Sequence, residues 1–129
     1  MKPSKLVSAL ISVLLLMLIV TTVAAEEYLP YSSVANSVGI SFKISGGVAT
    51  AIGNTTSLIS GSTVKTTVYI QKKVDTKWVT IESASGGWEV SVSCAVESGE
   101  IYRGRAVGKV YNSAGEQVDE LSVNSDPKP

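Results

Sequence analysis

The sequence predicts an all-β fold: an antiparallel β-sandwich of about seven strands, preceded by an N-terminal signal helix. Three observations carry that expectation. From Val38 onward, apolar residues recur at every second position, the period of a strand with one buried and one wet face. Clusters rich in Gly, Asn, Ser and Asp punctuate these runs roughly every 8–12 residues. Beyond the first 25 residues no segment carries a helical apolar stripe.

The clearest run is Trp88 to Val96. It sets Trp88, Val90, Val92, Cys94 and Val96 on one side and Glu89, Ser91, Ser93 and Ala95 on the other. All five of the first set are expected inside.

Met1 to Ala25 has the layout of a secretory signal. Lys2 and Lys5 precede an apolar stretch from Leu6 to Val20, and Val23-Ala24-Ala25 supplies a small-residue cleavage site before Glu26. The chain is therefore expected to be secreted, touching membrane only through that segment before cleavage. Residues 26–37 form a polar leader with Tyr28, Pro30 and Tyr31, residues 38–125 the sandwich domain, and residues 126–129 a polar tail.

The first strand alternates Val38, Ile40, Phe42 and Ile44 against Gly39, Ser41, Lys43 and Ser45. Gly46-Gly47 then forms a two-residue hairpin turn, since glycine enters positive φ freely. That register pairs Ser45 with Val48, Ile44 with Ala49 and Phe42 with Ala51. Gly53 to Gly61 reads as a loop.

Val64 to Lys73 turns Val64, Thr66, Val68 and Ile70 inward and Lys65, Thr67, Tyr69, Gln71 and Lys73 outward. A turn at residues 74–77 returns the chain through Trp78 to Ser83. It pairs Lys73 with Trp78, Gln71 with Thr80 and Ile70 with Ile81. Trp78 is expected largely exposed, with the Lys73 stem across its ring.

After Trp88–Val96, the strand Ile101 to Tyr111 sends Tyr102, Gly104, Ala106, Gly108 and Val110 inward. Its small row is expected to make room for Trp88 in the facing sheet. A turn at Asn112 to Gly115 leads into the last strand, Glu116 to Val123, pairing Ala106 with Leu121 and Gly104 with Val123. Glu116 and Glu120 then flank the basic row Arg103, Arg105 and Lys109. The tail's two prolines could not continue a central strand.

Composition excludes several function classes. The chain has no His, which removes Ser-His-Asp and Cys-His nucleophile systems and His-based zinc sites. The 11 Lys and Arg, less Lys2 and Lys5, leave nine basic residues against 11 acidic ones, which gives no basis for nucleic-acid binding. The single Cys94 cannot form an internal disulfide and is expected to be a buried, free thiol. The carboxylates fall on wet faces or in turns, and no phosphate-binding, dinucleotide or EF-hand spacing occurs. No cofactor and no catalytic residue is expected.

Gly99-Glu100-Ile101-Tyr102-Arg103 resembles the tyrosine corner of immunoglobulin-like domains, in which the Tyr hydroxyl meets a backbone group upstream. Gln71-Lys72-Lys73 with Lys77-Trp78-Val79, Ser98-Gly99 with Tyr102-Arg103, and Gly115-Glu116 resemble a family of short exported proteins of Gram-positive bacteria such as clostridia, classed as a domain of unknown function. The resemblance covers Val38 to Ser125. It implies an immunoglobulin-like sandwich outside the cell and brings no catalytic residues.

Tyr69, Trp78, Tyr111, Arg103 and Arg105 make the candidate binding surface; Trp88, Cys94 and Tyr102 are the structural residues. The expected function is a non-catalytic extracellular or cell-surface binding or adhesion module, with a cell-wall glycan or a surface protein as the classes of partner. The alternative is a structural or accessory surface protein without its own ligand.

Overall fold

The computed structural model describes residues 35–129. The signal segment with its cleavage site at Ala25 and Glu26, and nearly all of the leader, lie outside the described residues. Seven strands follow in order: β1 Asn36–Ser45, β2 Val48–Ser57, β3 Thr63–Val74, β4 Lys77–Gly86, β5 Glu89–Ala95, β6 Tyr102–Tyr111 and β7 Gln117–Asn124. They form two antiparallel sheets, ordered β1-β2-β5 and β4-β3-β6-β7. In the constant-type immunoglobulin arrangement the fourth strand pairs with the fifth. Here β4 pairs with β3, so the fourth strand has changed sheets.

The β1–β2 hairpin turns on Gly46 (φ 59°) and Gly47 (φ 75°), and Ser45↔Val48, Ile44↔Ala49 and Phe42↔Ala51 are aligned as the turn dictates. The core combines Phe42, Ala49, Ala51, Val68, Ile70, Val90, Val92 and Tyr102, with Val38, Ala106 and Leu121 grouped beside it. The inner row of β6 is buried along its whole length.

Four expectations need correction. Gly53 to Ser57 is strand, not loop, because β2 stays paired with β1 as far as Asn36↔Ser57. Gly53 packs too closely for a side chain: a Cβ there would lie 2.6 Å from Val68 Cγ2 and 2.9 Å from the Ala106 Cβ.

β1 begins two residues earlier than the sequence pattern implies. Asn36 is buried and its amide donates to Asp119 Oδ2 at 2.7 Å, which ties β1 to β7 of the other sheet.

β4 carries a bulge. Beyond Gln71↔Thr80 the register slips, so Glu82 rather than Ile81 stands opposite Ile70. Ile81 is exposed as a result.

The β6–β7 register is offset by two residues, with Ala106↔Val123 and Gly108↔Leu121. Asn112 causes the first half of the offset. Its Oδ1 accepts from the N–H groups of Ala114 and Glu116, both at 3.0 Å, and its own N–H donates to the Glu116 carbonyl at 2.9 Å. The loop closes one residue later than expected, and a bulge after Gln117 supplies the second residue. Two shifts restore the parity of the strand, so Leu121 stays inside.

The tail is also bound. Lys128 and Tyr102 exchange backbone hydrogen bonds of 2.8 Å, and Ser125 Oγ accepts from the Gly104 N–H at 2.9 Å. Pro127 lies between these contacts, where its missing N–H costs no ladder bond.

Candidate binding surface

Strand alternation sends Tyr69, Gln71 and Lys73 of β3 to the outer face of the four-stranded sheet, together with Arg103, Arg105, Lys109 and Tyr111 of β6. Register then sets them in cross-strand rows. Thr80, Gln71 and Arg103 form one row; Ser83, Tyr69, Arg105 and Asn124 form the next. Trp78 stands beside Lys73 at the start of β4.

The side chains lock together. Arg103 Nε donates to Gln71 Oε1 at 2.8 Å, and the guanidinium carbon lies 4.4 Å from the centre of the Trp78 ring. Arg105 Nη1 donates to Asn124 Oδ1 at 2.8 Å. The expected Lys73 stem is therefore displaced by Arg103, whose planar fork meets both an amide and an aromatic face. Trp78 is half-buried rather than largely exposed. Tyr69, Trp78, Arg103 and Arg105 form one patch. Tyr111 does not join it: its row pairs with Thr63 and Gln117 at the opposite end of the sheet. Of the acidic residues expected to flank the basic row, Glu120 meets Lys109 at 3.9 Å, while Glu116 is held by Asn112 in the loop.

Tyr102 has the geometry of a tyrosine corner. The ring is almost wholly buried, and its hydroxyl accepts the Glu97 N–H at 2.8 Å. Nearby, Lys72 and the well-exposed Glu97 lie 3.6 Å apart.

Cys94 is half-buried, not buried, and carries a free thiol. Burial pushes the thiol above the ordinary range, and the negative charge of Glu82 adds to the shift. Glu82 reaches this place because the bulge in β4 turns it toward the inner side.

Trp88 overturns its assignment. It is 61% exposed and precedes β5, which starts at Glu89. The chain there is crossing from one sheet to the other, so the alternation that begins at Val90 does not extend back to it. Its role is played by the backbone. The Trp88 carbonyl accepts the Thr55 N–H at 2.8 Å and the Thr66 hydroxyl at 3.3 Å, one from each sheet. The space above the small row of β6 is filled instead by β1 and β2. A Cβ on Gly104 would meet Phe42 Cβ at 3.2 Å, and one on Gly108 would meet Thr55 Cγ2 at 2.7 Å.

Two surface hollows flank the sandwich. A shallow one is lined by Thr55, Thr56, Ser57, Ser62, Val64 and Trp88. The other, of about 460 Å³, lies between the β1–β2 turn and the segment before β6, beside Ile44, Val96, Glu97 and Pro129. Neither gathers convergent acid–base groups. Among the described residues no set of three or more His, Cys, Asp or Glu could hold a metal ion.

No protein-family profile matches the chain. No curated protein sequence matches it at a significant level. Solved structures that align with this chain include a DUF3823 family protein from Bacteroides ovatus, with 14% identity, a TM-score of 0.41, and coverage of 69% of this chain and 55% of that one. This chain thus spans about half the length of that protein. CsgH of R. palustris aligns at 17% identity and a TM-score of 0.41 over 70% of this chain and 91% of its own. The E. coli curli protein CsgC aligns at 10% identity and a TM-score of 0.35 over 74% of this chain and 99% of its own.

Proposed function

We propose that this chain is an exported, non-catalytic binding module, of the kind represented by short secreted Gram-positive proteins, and that it engages a cell-wall glycan through the outer face of its four-stranded sheet. The observation that carries the reading is the interlocked row of Trp78, Arg103 and Gln71 beside Tyr69 and Arg105. A flat sheet face offers an aromatic ring and planar donors held in fixed orientation, which suits the apolar face and hydroxyl edge of a sugar ring. Export rests on the Val23-Ala24-Ala25 site. A glycan array and a cell-wall pull-down test the reading, comparing the wild type with Trp78→Ala and Tyr69→Ala. Wild-type retention lost in both variants supports it; equal retention of all three overturns it.

The second reading, an accessory surface protein without its own ligand, is favoured by one feature. One face of the Trp78 ring is already occupied by Arg103. In that case the stack serves only to rigidify β4, and neither screen retains the wild type.

A further inference from the structure

We infer that β5 is a dimerisation edge, at which two copies of this chain join their three-stranded sheets into one continuous six-stranded sheet.

Among the described residues the sandwich has four sheet edges: β1 and β5 in one layer, β4 and β7 in the other. Natural edges are guarded against pairing by devices that include lysine, proline and bulges. Three of these four are guarded. β1 carries Lys43 in its length and is bound through Asn36 to Asp119. β4 begins with Lys77 and is broken by its bulge. β7 has a bulge, Asp119 and Glu120, and leads into Pro127. β5 has none of these devices. Its ladder with β2 is regular from end to end, and its sequence, Glu-Val-Ser-Val-Ser-Cys-Ala, holds one charge, at its first residue.

The hydrogen-bond parity of β5 follows from its two ends. Val96 N–H donates to the Gly47 carbonyl, and the Trp88 carbonyl accepts from the Thr55 N–H. In the β2–β5 register both are facing pairs, so the even residues of β5 spend their backbone groups on β2. The N–H and C=O groups of Glu89, Ser91, Ser93 and Ala95 therefore point away from β2, to the open edge.

The occupant argued for is a second β5, because this strand complements itself. Antiparallel pairing about a two-fold axis at Val92 sets Ser91 opposite Ser93 and Glu89 opposite Ala95 of the other copy. These are the residues with open backbone groups, and they meet as hydrogen-bonded pairs. Val92 then faces its own copy, Val90 faces Cys94, and Trp88 comes beside Val96. Trp88, Cys94 and Val96, incompletely covered in the monomer, each gain an apolar neighbour. No like charges meet. The pairing is isologous and consumes the one unguarded edge among the described residues, so it closes at two copies.

The test is sedimentation equilibrium of the protein purified from cells expressing the full chain, in three forms. Ser91 and Ser93 are exposed on the outer face, so both can be changed without touching the core. In the two-fold register, Ser91→Lys with Ser93→Lys sets two lysine pairs face to face, whereas Ser91→Lys with Ser93→Glu sets two opposite-charge pairs. The wild type is expected to dimerise, the double-lysine variant to weaken by roughly tenfold or more, and the Lys/Glu variant to dimerise at least as tightly as the wild type. Unchanged thermal unfolding of dilute samples verifies that each monomer folds. A wild type that stays monomeric at the highest attainable concentration overturns the inference. So does a double-lysine variant that dimerises like the wild type.

Discussion

The hydroxyl oxygens of Thr55 and Thr66 lie 2.7 Å apart, buried between the two layers of the sandwich, one from each sheet. Thr66 donates to the Trp88 carbonyl, so its oxygen is left to accept and Thr55 supplies the proton between them. A short polar chain thus joins β2, β3 and the segment entering β5 where the two layers would otherwise meet only through apolar contact.

Removing Thr66 leaves the Thr55 hydroxyl without its acceptor, and removing Thr55 takes the donor from the Thr66 oxygen, which still donates to Trp88. Thr55→Val and Thr66→Val are each expected to destabilise the fold by ~1–3 kcal/mol, the cost of an unsatisfied buried group. The double variant should lose less than the two combined, since both partners are then apolar. Urea denaturation of the four-member cycle measures this. Strict additivity would show that the two hydroxyls do not interact.

Gly108 is the counterpart of Thr55 on β6. A Cβ there overlaps the Thr55 side chain. Gly108→Ala should therefore cost ~1–3 kcal/mol by overpacking, and Thr55→Ala in the same chain should restore part of it. Trp88→Ala, by contrast, should cost well under the ~3–5 kcal/mol typical of a buried aromatic, because its ring is mostly in water. Calorimetric melting of the variants checks both expectations, and a large loss at Trp88 would contradict its exposed position.

Tyr102→Phe keeps the ring in the core and deletes one acceptor. The Glu97 N–H then has no partner from Tyr102, and a loss of ~1–3 kcal/mol is expected with the denaturant slope unchanged. A melting curve that coincides with the wild type would mean that the bond contributes nothing.

Cys94 gives a pH-dependent signature. Its folded-state pKa is raised, first by burial and then by Glu82, so the neutral thiol is the form the fold favours. The associated stability is fully present below the ordinary thiol pKa of about 8.5 and is lost as pH rises through the higher folded value. The alkylation rate of the native protein should reach its half-maximum at a higher pH than that of the urea-unfolded chain. Glu82→Gln should move the native profile downward. Coincident native and unfolded profiles would remove the effect.

Much of the architecture was legible because strand periodicity is local. The alternation of Phe42 with Lys43, of Val68 with Tyr69, and of Ala106 with Val107 states which side of each strand is buried, whatever its partner. The Gly46-Gly47 turn dictates its own register, since only positive φ at both positions closes a two-residue hairpin with the right twist. Tyr102 was legible for the same reason: its partner is five residues away in the chain.

What tertiary structure decided depends on distant groups. Strand pairing beyond the first hairpin was shifted by one residue at Ile81 and by two at β7, because bulges answer to the twist and packing of the whole sheet. Arg103, not Lys73, covers Trp78, because the neighbour across β3 lies 25 positions farther along the chain than its ring partner and only pairing brings it there. Trp88 read as the centre of the core and stands outside it. Its place was set by the crossing between sheets, a geometry that no periodicity within β5 can contain.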